Sequence, residues 1–328
     1  MSRRVLLAAA VLAAAGACGG DDAGAGPDGP PPSAWRQGPP LPEPLLEPGV
    51  IALDGAVWVI GGFDAGLQVT THVWILDPGA AGWRAGPDAP APRTHMNLAI
   101  AGGRLYLLGG LIGQDLLPDG HAWRLSEDRT GWEPLAPMPV GAERGAAAVI
   151  PTAAGIVVAG GASATDALAS VLVYSPADDT WRDGLALPQP RSHPVGAIDP
   201  AGRPVVIGGL AELDATHPIA GVVALDGDTW APRAPMPTAR GGCSTAAIDG
   251  RVYCLGGEAG VSVLPNVEAY DPAADAWTEL PALPHGRGGT GGAAWDGLAV
   301  APGGAHRLAW QPTADVDLYD PAIAAAAH

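Results

Sequence analysis

Apolar positions in this chain come in short runs, most of them closed by glycine, and the runs recur at a fixed spacing. Diglycines end such runs at Gly61-Gly62, Gly109-Gly110, Gly160-Gly161, Gly208-Gly209, Gly256-Gly257 and Gly303-Gly304, in steps of 48, 51, 48, 48 and 47 residues. Tryptophans keep the same beat at Trp35, Trp83, Trp132, Trp181, Trp230 and Trp277, in steps of 48, 49, 49, 49 and 47. Two independent markers therefore count six units. Within a unit, Asp54-Gly55, Asp249-Gly250 or Asp296-Gly297 separates two apolar runs. That dipeptide signals a type I′ hairpin, whose central residues both need positive φ. A third run ends in Leu76-Asp77-Pro78, Tyr174-Ser175-Pro176, Tyr270-Asp271-Pro272 or Tyr319-Asp320-Pro321, and a tight turn leads on to the tryptophan strand. Four short antiparallel strands in about 50 residues make a propeller blade.

The two markers are offset at the ends. Trp35 precedes any hairpin, whereas the last hairpin, at Asp296-Gly297, is followed by Tyr319-Asp320-Pro321 and no tryptophan. The spacing predicts that residues 34–37 supply the outer strand of the last blade and close the ring, which ties down both termini. The propeller is expected over residues 34–321, with a C-terminal tail at 322–328.

The succession of arginine, apolar hairpin, diglycine, Tyr-Asp-Pro, tryptophan and Pro-Met-Pro (Pro137-Met138-Pro139 and Pro235-Met236-Pro237) resembles the kelch repeat over about residues 35–321. The resemblance implies an all-β, six-bladed kelch-type propeller.

Hydrophobic residues make up 48% of the chain and charged ones 16%, which suits a well-buried core. All 17 basic residues are arginine, and the net charge of −17 gives a surface that repels phosphate backbones, so nucleic acid is not an expected partner. Residues 1–17 read as a secretory signal: Arg3 and Arg4, an apolar run from Val5 to Ala15, and the small residues Ala15-Gly16-Ala17. Cys18 follows directly and resembles the acylated cysteine of bacterial lipoproteins, with Ala15 where that family usually has leucine. Residues 18–33, rich in Gly, Asp and Pro, form a flexible tether. The resemblance implies secretion across the inner membrane and a lipid anchor in the outer membrane or periplasm of a Gram-negative bacterium, the membrane being touched through the anchor alone. A monomer is expected.

Antiparallel alternation gathers the start of the innermost strand, the second-to-third-strand loop and the interblade link on one face. Arg93, Arg144, Arg191, Arg240 and Arg287 fall there, and Glu47-Pro48 stands where the first unit should have its arginine. Five guanidiniums around one mouth would hold a carboxylate or phosphate; alternatively each staples backbone carbonyls. His95 and His193 lie two residues after their arginines, near the channel, but in units that are not neighbours and with no carboxylate at metal-ligand spacing. No metal and no cofactor are therefore expected. Copper chemistry of the galactose-oxidase kind is disfavoured, since all five tyrosines occupy repeat positions. Phe63 and Trp310 sit on divergent loops, where aromatics either anchor a ligand or pack locally. Aspartates in the turns of the opposite face read as turn caps. In the pairing around Asp249-Gly250, Cys254 opposes Thr245 and Cys243 is a diagonal neighbour, so a Cys243–Cys254 disulfide is open.

Three functions follow as expectations. The first is a non-enzymatic binding or scaffold protein of the cell envelope, holding an unknown protein or glycan on the arginine and loop face. The second is a sugar-acting enzyme similar to the periplasmic kelch-type sialic acid mutarotases, with Glu47, Glu143, Glu212 and the arginines as candidate groups. The third is a structural envelope protein.

Overall fold

The computed structural model describes residues 33–308 and 310–326. The expected signal segment, Cys18 and the tether up to residue 32 lie outside the described residues.

Six four-stranded antiparallel sheets form the ring. Strands are lettered A to D from the channel outward. Blade 1 runs Gly49–Leu53, Ala56–Ile60, Val73–Leu76 and Arg84–Ala85. Blade 2 runs Leu98–Ala101, Arg104–Ile112, Leu117–Leu125 and Trp132–Leu135, blade 3 Ala148–Thr152, Gly155–Ala159, Val171–Ser175 and Thr180–Asp183, and blade 4 Val195–Ile198, Pro204–Ile207, Val222–Asp226 and Thr229–Arg233. Blade 5 runs Ser244–Ile248, Arg251–Leu255, Val267–Asp271 and Ala276–Leu280. Blade 6 takes strands A to C from Ala293–Trp295, Leu298–Pro302 and Val316–Tyr319, and its D strand is Trp35–Gln37. Trp35 pairs with Tyr319, Arg36 with Leu318 and Gln37 with Asp317, the closure expected from the phase of the repeats. A short helix, Pro321–Ala326, runs from the end of the propeller into the C-terminal tail, and Asp320 opens it by accepting the Ala322 N–H.

The Asp-Gly hairpins have the required backbone. Asp54 and Gly55 have φ of 49° and 78°, and Asp249 with Gly250 and Asp296 with Gly297 repeat the pattern. Strand B of blade 1 is buried along its whole length, because blades pack against both of its faces. Such strands read as unbroken apolar runs rather than as alternation. The core lies between blades; Tyr106 and Leu108 of blade 2 pack with Ile156, Val158 and Leu172 of blade 3.

The repeat markers acquire physical causes. The first glycine of each diglycine has positive φ and faces a backbone carbonyl of the next blade. A Cβ on Gly61 would stand 2.5 Å from Arg93 O, and one on Gly160 2.6 Å from Arg191 O. Only glycine permits that approach. The tryptophans are interblade clips. Trp181 Nε1 donates to Ala136 O, Trp230 to Leu185 O, Trp277 to Ala234 O and Trp35 to Pro281 O, each at 2.8–2.9 Å. In blades 3 and 5 an aspartate completes the clip: Asp275 accepts both Tyr270 Oη and the Ala234 N–H, while Asp179 does the same for Tyr174 and Ala136. These turn aspartates bind their own protein.

Candidate channel-mouth site

One residue per blade carries positive φ at the channel mouth: Glu47, His95, Ala146, His193, Gly242 and Gly289, with φ between 51° and 64°. Their amides form a belt. Glu47 N–H donates to Gly289 O, Ala146 to His95 O, His193 to Ala146 O and Gly242 to His193 O, at 2.6–2.9 Å, with a longer 3.4 Å link from His95 to Glu47 O. Side chains attached to this belt therefore point where the blade count puts them, around the axis.

This changes the reading of the first blade. Leu45, not Glu47, takes the place of the missing arginine, since Leu45 O receives the Gly304 N–H as Arg93 O receives that of Gly62. Glu47 is instead the counterpart of His95 and His193. The two histidines belong to blades 2 and 4, yet their rings meet edge to face with centroids 5.2 Å apart, because the belt residue between them is Ala146. His95 Nε2 lies 3.4 Å from Glu47 Oε2. Glu258, from the loop after strand B of blade 5, joins them over the side chain-free arc of Gly288 and Gly289. A Cβ on Gly288 would stand 2.7 Å from Glu258 Oε1, and one on Gly289 3.0 Å from Glu47 Oε1. Glu47, His95, His193 and Glu258 line a cavity of about 220 Å³ floored by apolar strand-A residues such as Val50, Leu98 and Val149.

Proton counting fixes both imidazoles. Thr94 Oγ1 donates to Glu47 O at 2.9 Å and lies 3.1 Å from His95 Nδ1. Ser192 Oγ donates to Glu212 O at 2.8 Å and lies 3.1 Å from His193 Nδ1. A hydroxyl has a single proton, so each oxygen can only accept from Nδ1–H. Both histidines thus keep the proton on Nδ1 and turn an Nε2 lone pair toward the cavity. Burial pushes both down to about 4, so they are neutral at pH 7. Burial also raises Glu47, and it raises Glu258 to about 7, helped by the nearby Glu47 charge.

The other candidate residues fall elsewhere. All five arginines are buried and none lines the cavity. Arg191 Nη1 donates to Gly208 O and Gly221 O at 2.9 Å, and Arg144 Nη1 to Ser170 O at 2.8 Å. Arg240 pairs with Glu268 at 2.6 Å, and Arg287 with Asp317. Arg93 reaches Asp119 at 3.1 Å and lies 4.4 Å over the Trp123 ring. They join strands within blades. Phe63 is buried beneath Trp310, ring edge to face at 5.5 Å, away from the cavity, and half of Trp310 is exposed. Cys243 and Cys254 are both free thiols, buried and hydrogen-bonded to each other, which holds Cys243 below and Cys254 above the usual thiol range. Glu212, Asp214 and His217 cluster on an exposed loop, where Asp214 caps Thr216.

The ring and its channel-mouth site define the class: a six-bladed β-propeller with a small, acid- and imidazole-lined cavity on its axis. The kelch motif family matches residues 44–90 and 239–284, which contain the whole of blades 1 and 5, and the chain is a kelch-repeat propeller. The solved structure described as "Structure of YjhT" is similar, with a TM-score of 0.70 at 16% identity, covering 87% of this chain and 97% of that one. No curated protein sequence matches.

Proposed function

We propose that this chain is a non-enzymatic binding propeller of the cell envelope, anchored through Cys18, whose ligand is a small polar species or ion held at the channel mouth. The observation that carries the reading is the cavity itself. It joins two carboxyls and two neutral imidazoles with free Nε2 lone pairs, while the repeat arginines are occupied by carbonyls and carboxylates of their own blades. At about 220 Å³ it is smaller than the ~300–1,000 Å³ of pockets that enclose drug-sized ligands, which favours a compact occupant. Ala146→Phe plugs the mouth between the histidines. A screen of small polar compounds and divalent cations should find a ligand that raises the thermal midpoint of the wild type and leaves Ala146→Phe unmoved. A ligand that stabilises both equally places the site elsewhere.

One observation favours a second reading, a sugar-acting enzyme of the mutarotase kind. Glu258, held near 7, is suited to give and take a proton at neutral pH, as general acid–base catalysis requires. With no arginine in the cavity, a neutral sugar fits better than a carboxylated one. On this reading the wild type accelerates anomeric equilibration followed by NMR, and Glu258→Gln returns the rate at least ~100-fold toward that of buffer. Wild-type protein that accelerates no sugar ends it.

A further inference from the structure

We infer that the channel mouth is a site for one divalent transition-metal ion of the zinc type, ligated by His95 Nε2, His193 Nε2 and the Glu47 carboxylate, with a fourth position open toward Glu258. The inference rests on the channel-mouth reading and names its ligand.

Metal bonds of ~2.0–2.1 Å meeting at the tetrahedral angle set two ligand atoms about 3.4 Å apart and two imidazole centroids about 5 Å apart. The observed His95 Nε2 to Glu47 Oε2 separation is 3.4 Å, and the His95 and His193 centroids are 5.2 Å apart. The three ligand atoms do not yet all lie within 4.8 Å of one another, so the His193 ring must pivot about its Nδ1 contact with Ser192 to close the set. Room for the turn exists. A Cβ on neighbouring Gly242 would meet only His193 Cβ and Cδ2, both at 4.0 Å.

The supporting shell is already that of a metal ligand. Ligating imidazoles donate their other N–H to a fixed acceptor, which orients the ring and aims the lone pair. Thr94 and Ser192 do this identically for His95 and His193, one residue upstream of each, and each hydroxyl is itself locked on a backbone carbonyl. Two neutral imidazoles with one carboxylate match the donor preference of zinc and its neighbours, whereas calcium and magnesium prefer all-oxygen sets. The positive φ at these belt positions is conformational strain for His and Glu, and it aims all three side chains at the axis. The Glu212, Asp214 and His217 group has a like contact, with Thr216 Oγ1 3.0 Å from His217 Nδ1, but it is solvent-exposed and offers a single imidazole, so it serves as the internal control.

The test uses chelator-treated full-length protein titrated with Zn²⁺ alone and, for its visible spectrum, Co²⁺ alone. One equivalent should bind, and Zn K-edge X-ray absorption of the loaded wild type should count two imidazoles, a measurement that needs no variant. His95→Asn and His193→Asn, which keep a residue type tolerant of positive φ, should abolish binding, and Ser192→Ala should weaken it about 10-fold. His217→Ala should change nothing. Failure to take up either ion, a count of one imidazole, or binding unchanged in either asparagine variant overturns the inference. If the ions fail while some other ligand still distinguishes the wild type from Ala146→Phe, the metal falls and the mouth reading stands. If nothing distinguishes them, both fall.

Discussion

Deleting residues 34–37 should lower the thermal midpoint of the whole ring by roughly 10 °C, because about 4–6 kcal/mol is lost at ~2 °C per kcal/mol for a domain of this size. The segment has no blade of its own. Trp35, Arg36 and Gln37 pair with Tyr319, Leu318 and Asp317, and Ala34 O accepts the Asp320 N–H at 2.8 Å. Trp35 packs on Tyr319 with ring centroids 4.9 Å apart, and its indole N–H clips blade 6 to Pro281 O at 2.9 Å. Removal leaves the C strand of blade 6 as an open edge and takes away one of the interblade clips. The loss is cooperative, since every blade is held by two neighbours. Differential scanning calorimetry checks this, with Arg36→Ala as control: Arg36 is exposed in the same strand and should shift the midpoint by under ~1 °C. Trp35→Phe, which removes the clip and keeps most of the packing, should fall between, at about 1 kcal/mol. A deletion no worse than Arg36→Ala would mean that the ring closes without its N-terminal strand.

That closure was legible in the sequence because it depends on counting. Diglycines and tryptophans are each demanded once per blade by a backbone or clip contact, and Asp-Gly turns mark the first hairpin of three blades, so their phase carries the topology. The site depends instead on what departs from the repeat, and there the counting misled. Blade 1 lacks the arginine that marks the interblade carbonyl, so counting puts Glu47 in register with Arg93, whereas Leu45 holds that place and Glu47 is the partner of His95. The spacing of the belt, Glu47, His95, Ala146, His193, Gly242 and Gly289, follows the repeat period and was available as a signal. Nothing in sequence separation shows that two histidines in non-neighbouring blades meet. They do so because a ring narrows at its axis and the residue between them is alanine. Glu258 was hidden for another reason. It reaches the mouth from a loop, across an arc that Gly288 and Gly289 leave bare.

The arginines invite a sharper test, since a binding role and a stapling role predict opposite results. Arg240→Ala should destabilise the protein by about 3–5 kcal/mol and leave ligand binding at the mouth intact. Both members of the Arg240–Glu268 pair are almost fully buried, and the 2.6 Å contact is the only hydrogen bond that either Glu268 carboxylate oxygen makes with a side chain among the described residues. Removing the guanidinium strands that carboxylate in an apolar surround formed by Cys254 and the interblade core. By contrast, Arg191 bonds only neutral carbonyls, and burial already pushes it down to about 10. Arg191→Ala should therefore cost less, about 2–3 kcal/mol, since it frees two carbonyls and no charge. Urea unfolding at constant m-value measures both. The double variant Arg240→Met with Glu268→Met replaces the pair by apolar groups of similar length and should recover most of the loss, which separates a stranded charge from a simple cavity. If Arg240→Ala instead left the unfolding midpoint in place and abolished ligand binding, the guanidinium would face a ligand, and the belt would not be the working part of the mouth.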